Sequence, residues 1–188
     1  NVCNFRSCSK HCRLYYNIIY HCTSTIVGSH MKQITVSKNM IDAARKKAND
    51  MGLLKNSITG GEGSVAGFLG EDCAKLILGG VEANTYDYDL KLENGRTVDV
   101  KTKRTSVPPK NYYECSVAEF NTKQKCDYYA FVRVHNDLHT AWFLGVYPKD
   151  KYYDDATYLR KGEVDPSNNF TVKSNCYNLP ISALENAL

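Results

Sequence analysis

Between Thr85 and Lys103, three aspartates and a lysine recur at spacings that can gather them on one face of a β-hairpin: Asp87, Asp89, Asp99 and Lys101. Tyr86, Tyr88, Leu90 and Leu92 alternate with Asp87, Asp89 and Lys91, the period-two pattern of a strand. Asn94-Gly95 is a strong turn signal ahead of a return strand from Thr97 to Lys103. The register decides what this hairpin presents. A two-residue Asn94-Gly95 loop sets Leu90 against Asp99 and mixes apolar with charged side chains on both faces. A three-residue loop, Glu93-Asn94-Gly95, sets Leu90 against Val98 and Asp89 against Asp99, with Gly95 at the left-handed position such a loop needs. A slip of one residue moves every side chain to the other face, so hydrophobic matching selects the second register. Leu90, Val98 and Val100 then face the core, while Asp87, Asp89, Asp99 and Lys101 share the other face.

Directly opposed side chains stand about 5 Å apart at Cβ. Two carboxylates that close repel unless one is protonated or a cation lies between them. Converging carboxylate oxygens are what Mg²⁺ or Mn²⁺ accepts, with waters completing the octahedron. The same four residues also read as a solvated hairpin face carrying a weak Asp87–Lys101 surface pair.

The elements that must position these residues follow from the rest of the chain. Ser37 suits a helix N-cap, and Met40, Ala44, Ala48 and Met51 recur at helical spacing until Gly52. The cluster Thr59-Gly60-Gly61-Glu62-Gly63-Ser64 lacks the Gly-Lys-Ser/Thr ending of a phosphate-binding P-loop and reads as a turn feeding a second helix. That helix spans about Val65 to Leu78, with an apolar face of Val65, Leu69, Cys73, Leu76 and Ile77 and Gly79-Gly80 as terminator. After the hairpin come strands at Tyr112 to Ala118, Tyr128 to Val134 and Thr140 to Val146, the second so apolar that a central place is expected. Glu119 to Lys125 reads as a short helix or loop, His135 and His139 flank a surface turn at Asn136-Asp137, and Ile181 to Leu188 reads as a closing helix. The order predicts one α/β domain with a central mixed sheet flanked by helices.

Composition narrows the class. At 188 residues and 43% hydrophobic the chain can bury one core, and no apolar run approaches the ~20 residues that span a bilayer. Residues 1 to 31 stand apart. Asn1 to Val27 contain no Asp, Glu, Gly or Pro and hold Cys3, Cys8, Cys12 and Cys22, and Gly28-Ser29-His30-Met31 resembles a cloning scar. We expect a non-native leader there, with the domain proper at 32–188; a zinc cluster of those cysteines with His11 and His21 is the competing reading. Arg6, Lys10 and Arg13 are the leader's only charges, so the net +4 of the whole chain falls to +1 without them. Any basic footprint must then be local. Cys73, Cys115, Cys126 and Cys176 form no CxxC pair and are expected as free thiols in a reducing cytoplasm.

Taken in order, these residues resemble the PD-(D/E)XK nuclease superfamily. Asp89 matches its first Asp, Asp99-Val100-Lys101 its D-x-K, and Glu71 the acid on the preceding helix; the likeness covers about Val65 to Val134. Tyr88 stands where the family's nominal Pro would be. Asp72 lies nearer the apolar face than Glu71 and is held in reserve, as Asp87 is for Asp89. The resemblance implies a restriction-endonuclease-like core and hydrolysis of DNA phosphodiester bonds. It implies that Glu71, Asp89, Asp99 and the Val100 carbonyl hold Mg²⁺, or Mn²⁺, and that Lys101 assists a bound water or the developing charge. Gln124-x3-Tyr128 also resembles a Gln-x3-Tyr motif of exonuclease branches of that superfamily. For the DNA itself, Lys103, Arg104 and Lys110 can neutralise phosphates, and Tyr112 and Tyr113 can stack on bases. A non-catalytic nucleic-acid-binding module on the same fold, and an unrelated interaction protein, remain the alternatives; the sequence leaves a homodimer open.

Overall fold

The computed structural model describes residues 24–27, 31–51, 62–83 and 85–186. The leader cysteines and histidines, Gly52 and Thr59 to Gly61 lie outside them.

Strand β1 (Ser24–Val27) pairs antiparallel with β2 (Met31–Thr35), so the sheet takes in four residues of the segment expected to stand outside it. Helix α1 (Lys38–Met51) begins where the sequence indicates, with the Met40 N–H donating to Ser37 Oγ at 3.3 Å. Helix α2 (Glu62–Leu78) starts three residues earlier than expected and ends at Gly79 and Gly80, both with positive φ. Next come β3 (Val81–Glu82), β4 (Leu90–Lys91), β5 (Thr97–Thr105) and β6 (Glu114–Ala118), then a 3-10 turn at Glu119–Lys123. The chain continues through β7 (Tyr128–His135), β8 (Thr140–Pro148), α3 (Lys149–Asp155), β9 (Thr157–Leu159) and β10 (Cys176–Pro180).

Among the described residues, seven strands form one mixed sheet in the order β1-β2-β8-β7-β5-β4-β3, with β5 and β7 its one parallel pair. The apolar β7 is its middle strand, as its composition requires, because both of its faces are covered. On one face α1 and α2 bury Ile34, Met40, Leu69, Val98, Val132 and Phe143. The other face carries Tyr129, Phe131, Trp142 and Leu144 and is covered by α3 and a second antiparallel sheet, β6-β10-β9. Tyr152 of α3 is sealed there, donating its hydroxyl toward the Cys115 and Tyr177 carbonyls at 2.8 and 2.9 Å.

Three expectations are corrected. The Thr85–Asp89 stretch is not strand: Thr85 Oγ1 accepts the Asp87 and Tyr88 N–H groups, and a hydroxyl-capped turn replaces the ladder. Strand β6 starts at Glu114 rather than Tyr112, since Lys110 to Tyr113 closes a turn. The C-terminal helix is a single 3-10 turn, Ile181–Ala183, after which Glu185 bridges to Val146 at 2.8 and 2.9 Å, its carbonyl against Gly145 where a Cβ would lie 2.6 Å away. Among the described residues Cys73, Cys115, Cys126 and Cys176 are free thiols, and no helix is long and apolar enough to cross a membrane.

Candidate active site

The hairpin takes the three-residue loop. Leu90 pairs with Val98 and Lys91 with Thr97, the Gly95 N–H donates to the Leu92 carbonyl, and Gly95 has φ +83°. Leu90 and Val98 are fully buried toward the helices. Asp99 and Lys101 therefore point through the opposite face, alongside Tyr129 and Phe131 of β7.

Because β4 is only two residues long, β5 has an open edge beyond it. The Asp89 carboxylate occupies that edge, with Oδ2 accepting the Val100 N–H at 2.7 Å in place of a ladder carbonyl. The N–H and C=O of one residue in an extended strand point to the same side, so Val100 presents its carbonyl there as well. The turn at Thr85 makes this possible, since it frees Asp89 from a strand of its own. Asp87, in contrast, faces solvent and accepts the Lys125 N–H at 3.0 Å.

Asp99 is 4% exposed. Its Oδ2 pairs with Lys101 Nζ, and its Oδ1 accepts the Gln124 Nε2 hydrogen at 3.0 Å. Gln124 ties the cluster together: Nε2 also donates to the Tyr86 carbonyl at 2.9 Å, and Oε1 accepts from Lys101 at 2.9 Å. Lys101 Nζ lies 5.5 Å above the Tyr129 ring. Tyr128, the other residue of the Gln-x3-Tyr spacing, lies elsewhere, its hydroxyl accepting from Arg96 at 2.7 Å.

Glu71 reaches the site from α2. The helix sits so close to β5 at Gly70 that a Cβ there would lie 1.9 Å from Thr102 Oγ1. Glu71 is thereby held near Asp89. Burial, then repulsion from Asp89, pushes the Glu71 carboxyl up to about 8. Burial and the charge of Asp99 likewise push Asp89 up to about 6, and burial raises Asp99. Asp72 serves a different network. It pairs with Lys47 at 3.3 Å, and Lys47 in turn with Glu82 at 3.2 Å.

The residues expected to meet nucleic acid separate. Tyr112 is 63% exposed, with Lys110 Nζ 5.7 Å from its ring. Tyr113 is half-buried against the Arg133 guanidinium. Arg104 donates to the Asn136 carbonyl at 3.0 Å. Lys103 is exposed on β5 and lines, with Arg133, a cleft that also reaches Lys101; desolvation there and the Arg133 charge hold it below the usual lysine range. His135 pairs with Asp137 at 2.9 Å in the surface turn.

Sequence reasoning missed Gly70, Thr102 and Arg133. No local pattern marks a glycine chosen for a contact with a residue far along the chain, or an arginine inside an apolar strand. Fold and site together define an α/β protein with a buried acid–lysine cluster at the edge of a mixed sheet. The sequence matches none of the protein-family models and none of the curated proteins with which it was compared.

Proposed function

We propose that the chain is a Mg²⁺-dependent deoxyribonuclease with a restriction-endonuclease-like core of the PD-(D/E)XK kind. One observation carries this reading: Glu71, Asp89 and Asp99, all largely buried, lie about one strand edge with Lys101 two residues beyond Asp99, and Glu71 and Asp89 are held well above ordinary carboxyl values. Burying like charges together costs stability, and clusters of this kind concentrate where chemistry needs them.

The donor set fits a hard divalent cation. Among the described residues no three acid, histidine or cysteine side chains are already gathered as a metal cage. Mg²⁺ does not require one: it keeps several waters and takes one or two carboxylates. Glu71, Asp89 and Asp99 would hold it together with the Val100 carbonyl. Mg²⁺ or Mn²⁺ held there would polarise a phosphoryl oxygen and lower the pKa of a water.

The protein's own groups do the rest. Lys101, fixed by Asp99 and Gln124, sets an ammonium where charge grows on the phosphoryl oxygens. Gln124 holds Asp99 and Lys101 in one geometry. Lys103, Arg104 and Lys110 give the strand a cationic approach, and Tyr112 offers an exposed ring for stacking on a base.

The test is digestion of plasmid and single-stranded DNA in Mg²⁺, Mn²⁺ or EDTA by the parent and by Asp99→Ala and Lys101→Ala. Cleavage by the parent in either metal, absent in EDTA and in both folded variants, supports the reading. Metal-independent binding without cleavage would instead favour a non-catalytic module on this fold.

A further inference from the structure

Beside Lys101 a cleft of about 360 Å³ opens between the β5–β7 face and β6. Phe131 and Leu144 give it apolar walls, and Lys103, Arg133, Glu114 and Asn121 supply its polar groups. Lys103 follows Lys101 by two strand residues, about 6.6 Å along β5. Arg133 is 7% exposed, and its guanidinium donates to the Glu114 carbonyl at 3.0 Å and lies over the Tyr113 ring. Among the described residues neither Lys103 nor Arg133 has a carboxylate within ion-pair distance. Glu114 Oε2, lining the same cleft, is buried with no hydrogen-bond partner. An acid and two cations thus share one cleft without pairing with each other.

A complement to this set must donate to the carboxylate and accept from the cations. A phosphate satisfies the cations but brings a second negative charge to Glu114. Guanine presents both kinds of group: N1–H and the N2 amino group are donors on one edge, and O6 and N7 are acceptors beside it. Only guanine sets two N–H donors side by side against a carboxylate; adenine and cytosine place a ring-nitrogen acceptor beside their amino group, and thymine flanks its one imide N–H with two carbonyls, so each turns a lone pair toward Glu114. The volume suits a single base between apolar walls. We infer that this cleft is a base-reading subsite that takes one guanine of the substrate strand, next to the phosphate at Lys101. Its place in catalysis rests on the nuclease reading; its binding chemistry does not.

Calorimetric titration of the full chain in EDTA with GMP, AMP, CMP, TMP and inorganic phosphate separates the outcomes. GMP is expected to bind at least about tenfold more tightly than the other three nucleotides. Glu114→Gln, which keeps the shape but loses one acceptor, is expected to erase that preference, and Lys103→Gln to weaken GMP about threefold or more. Lys46→Gln, on the exposed side of α1 and away from the cleft, should leave GMP binding unchanged. Equal affinity for all four nucleotides with competition by inorganic phosphate would make the cleft a phosphate site and overturn the proposal. So would no binding by any probe. A chain that selects GMP but never cuts DNA keeps the subsite and loses the nuclease; one that cuts but shows no GMP preference loses the subsite alone.

Discussion

Glu71→Gln is expected to stabilise the metal-free protein near neutral pH, although it removes an acid from the site. The glutamate carboxyl rises from 4.5 in its unperturbed state to about 8 in the fold, through burial and then the Asp89 charge. An acid whose value is raised by folding lowers stability as pH climbs from its unfolded value toward its folded one. The loss begins near pH 4.5 and is complete near pH 8. At pH 7 about 2.5 pH units of that window have been crossed, at about 1.4 kcal/mol each, so the upper bound on the penalty is about 3.5 kcal/mol. A glutamine of nearly the same shape carries none of it. Urea denaturation at pH 4 and pH 7 in EDTA measures the difference directly. The variant should exceed the parent by roughly 2–3 kcal/mol at pH 7 and match it at pH 4. Added Mg²⁺ should stabilise the parent by mass action and narrow the gap. A variant less stable than the parent at pH 7, or an equal gap at both pH values, would refute the placement of Glu71 in a desolvated acid cluster.

Other expectations follow from the same contacts. Gly70→Ala must push α2 away from Thr102, costing about 1–3 kcal/mol in a denaturation midpoint, and a second change, Thr102→Ala, should recover part of it. At a fixed, limiting Mg²⁺ concentration cleavage should fall as pH drops, because protons compete with the cation for Asp89, and a pH–rate profile whose acid limb moves to lower pH as Mg²⁺ is raised reads this competition. Gln124→Leu removes the bonds to both Asp99 and Lys101, so it should raise the Asp99 carboxyl and cut turnover at saturating DNA while circular dichroism stays native. Unchanged turnover in the folded variant would remove Gln124 from its positioning role.

Much of the site was legible because one constraint, burial of Leu90 with Val98, fixes a hairpin register from local residues alone. Gly95 confirmed it through its positive φ. The same alternation misled at Thr85–Asp89, where a hydroxyl that caps its own turn outcompetes a short edge ladder. That error concealed how Asp89 reaches the site: it docks on the Val100 amide from outside a strand instead of facing Asp99 across one. The helical acid could not be chosen by wheel geometry. Asp72 looked better on the apolar face, yet Lys47 of α1 draws it into an ion pair, and Glu71 is the one left beside Asp89. The second sheet, β6-β10-β9, was also unread, because its strands lie far apart in the chain and carry no periodic signal long enough to pair them in advance. Arg133 and Glu114 meet only through that sheet, so the cleft they line was invisible in the sequence.

In the function proposed above, Asp89, Asp99 and Lys101 form a metal-dependent phosphodiesterase centre. Its most direct measurement is cleavage of supercoiled plasmid by purified protein as Mg²⁺ is titrated against EDTA. Nicked or linear product is expected to appear with free Mg²⁺, to vanish with excess chelator and to be missing at every concentration in folded Lys101→Ala. Intact plasmid throughout, or cleavage indifferent to EDTA or to the loss of Lys101, would contradict it.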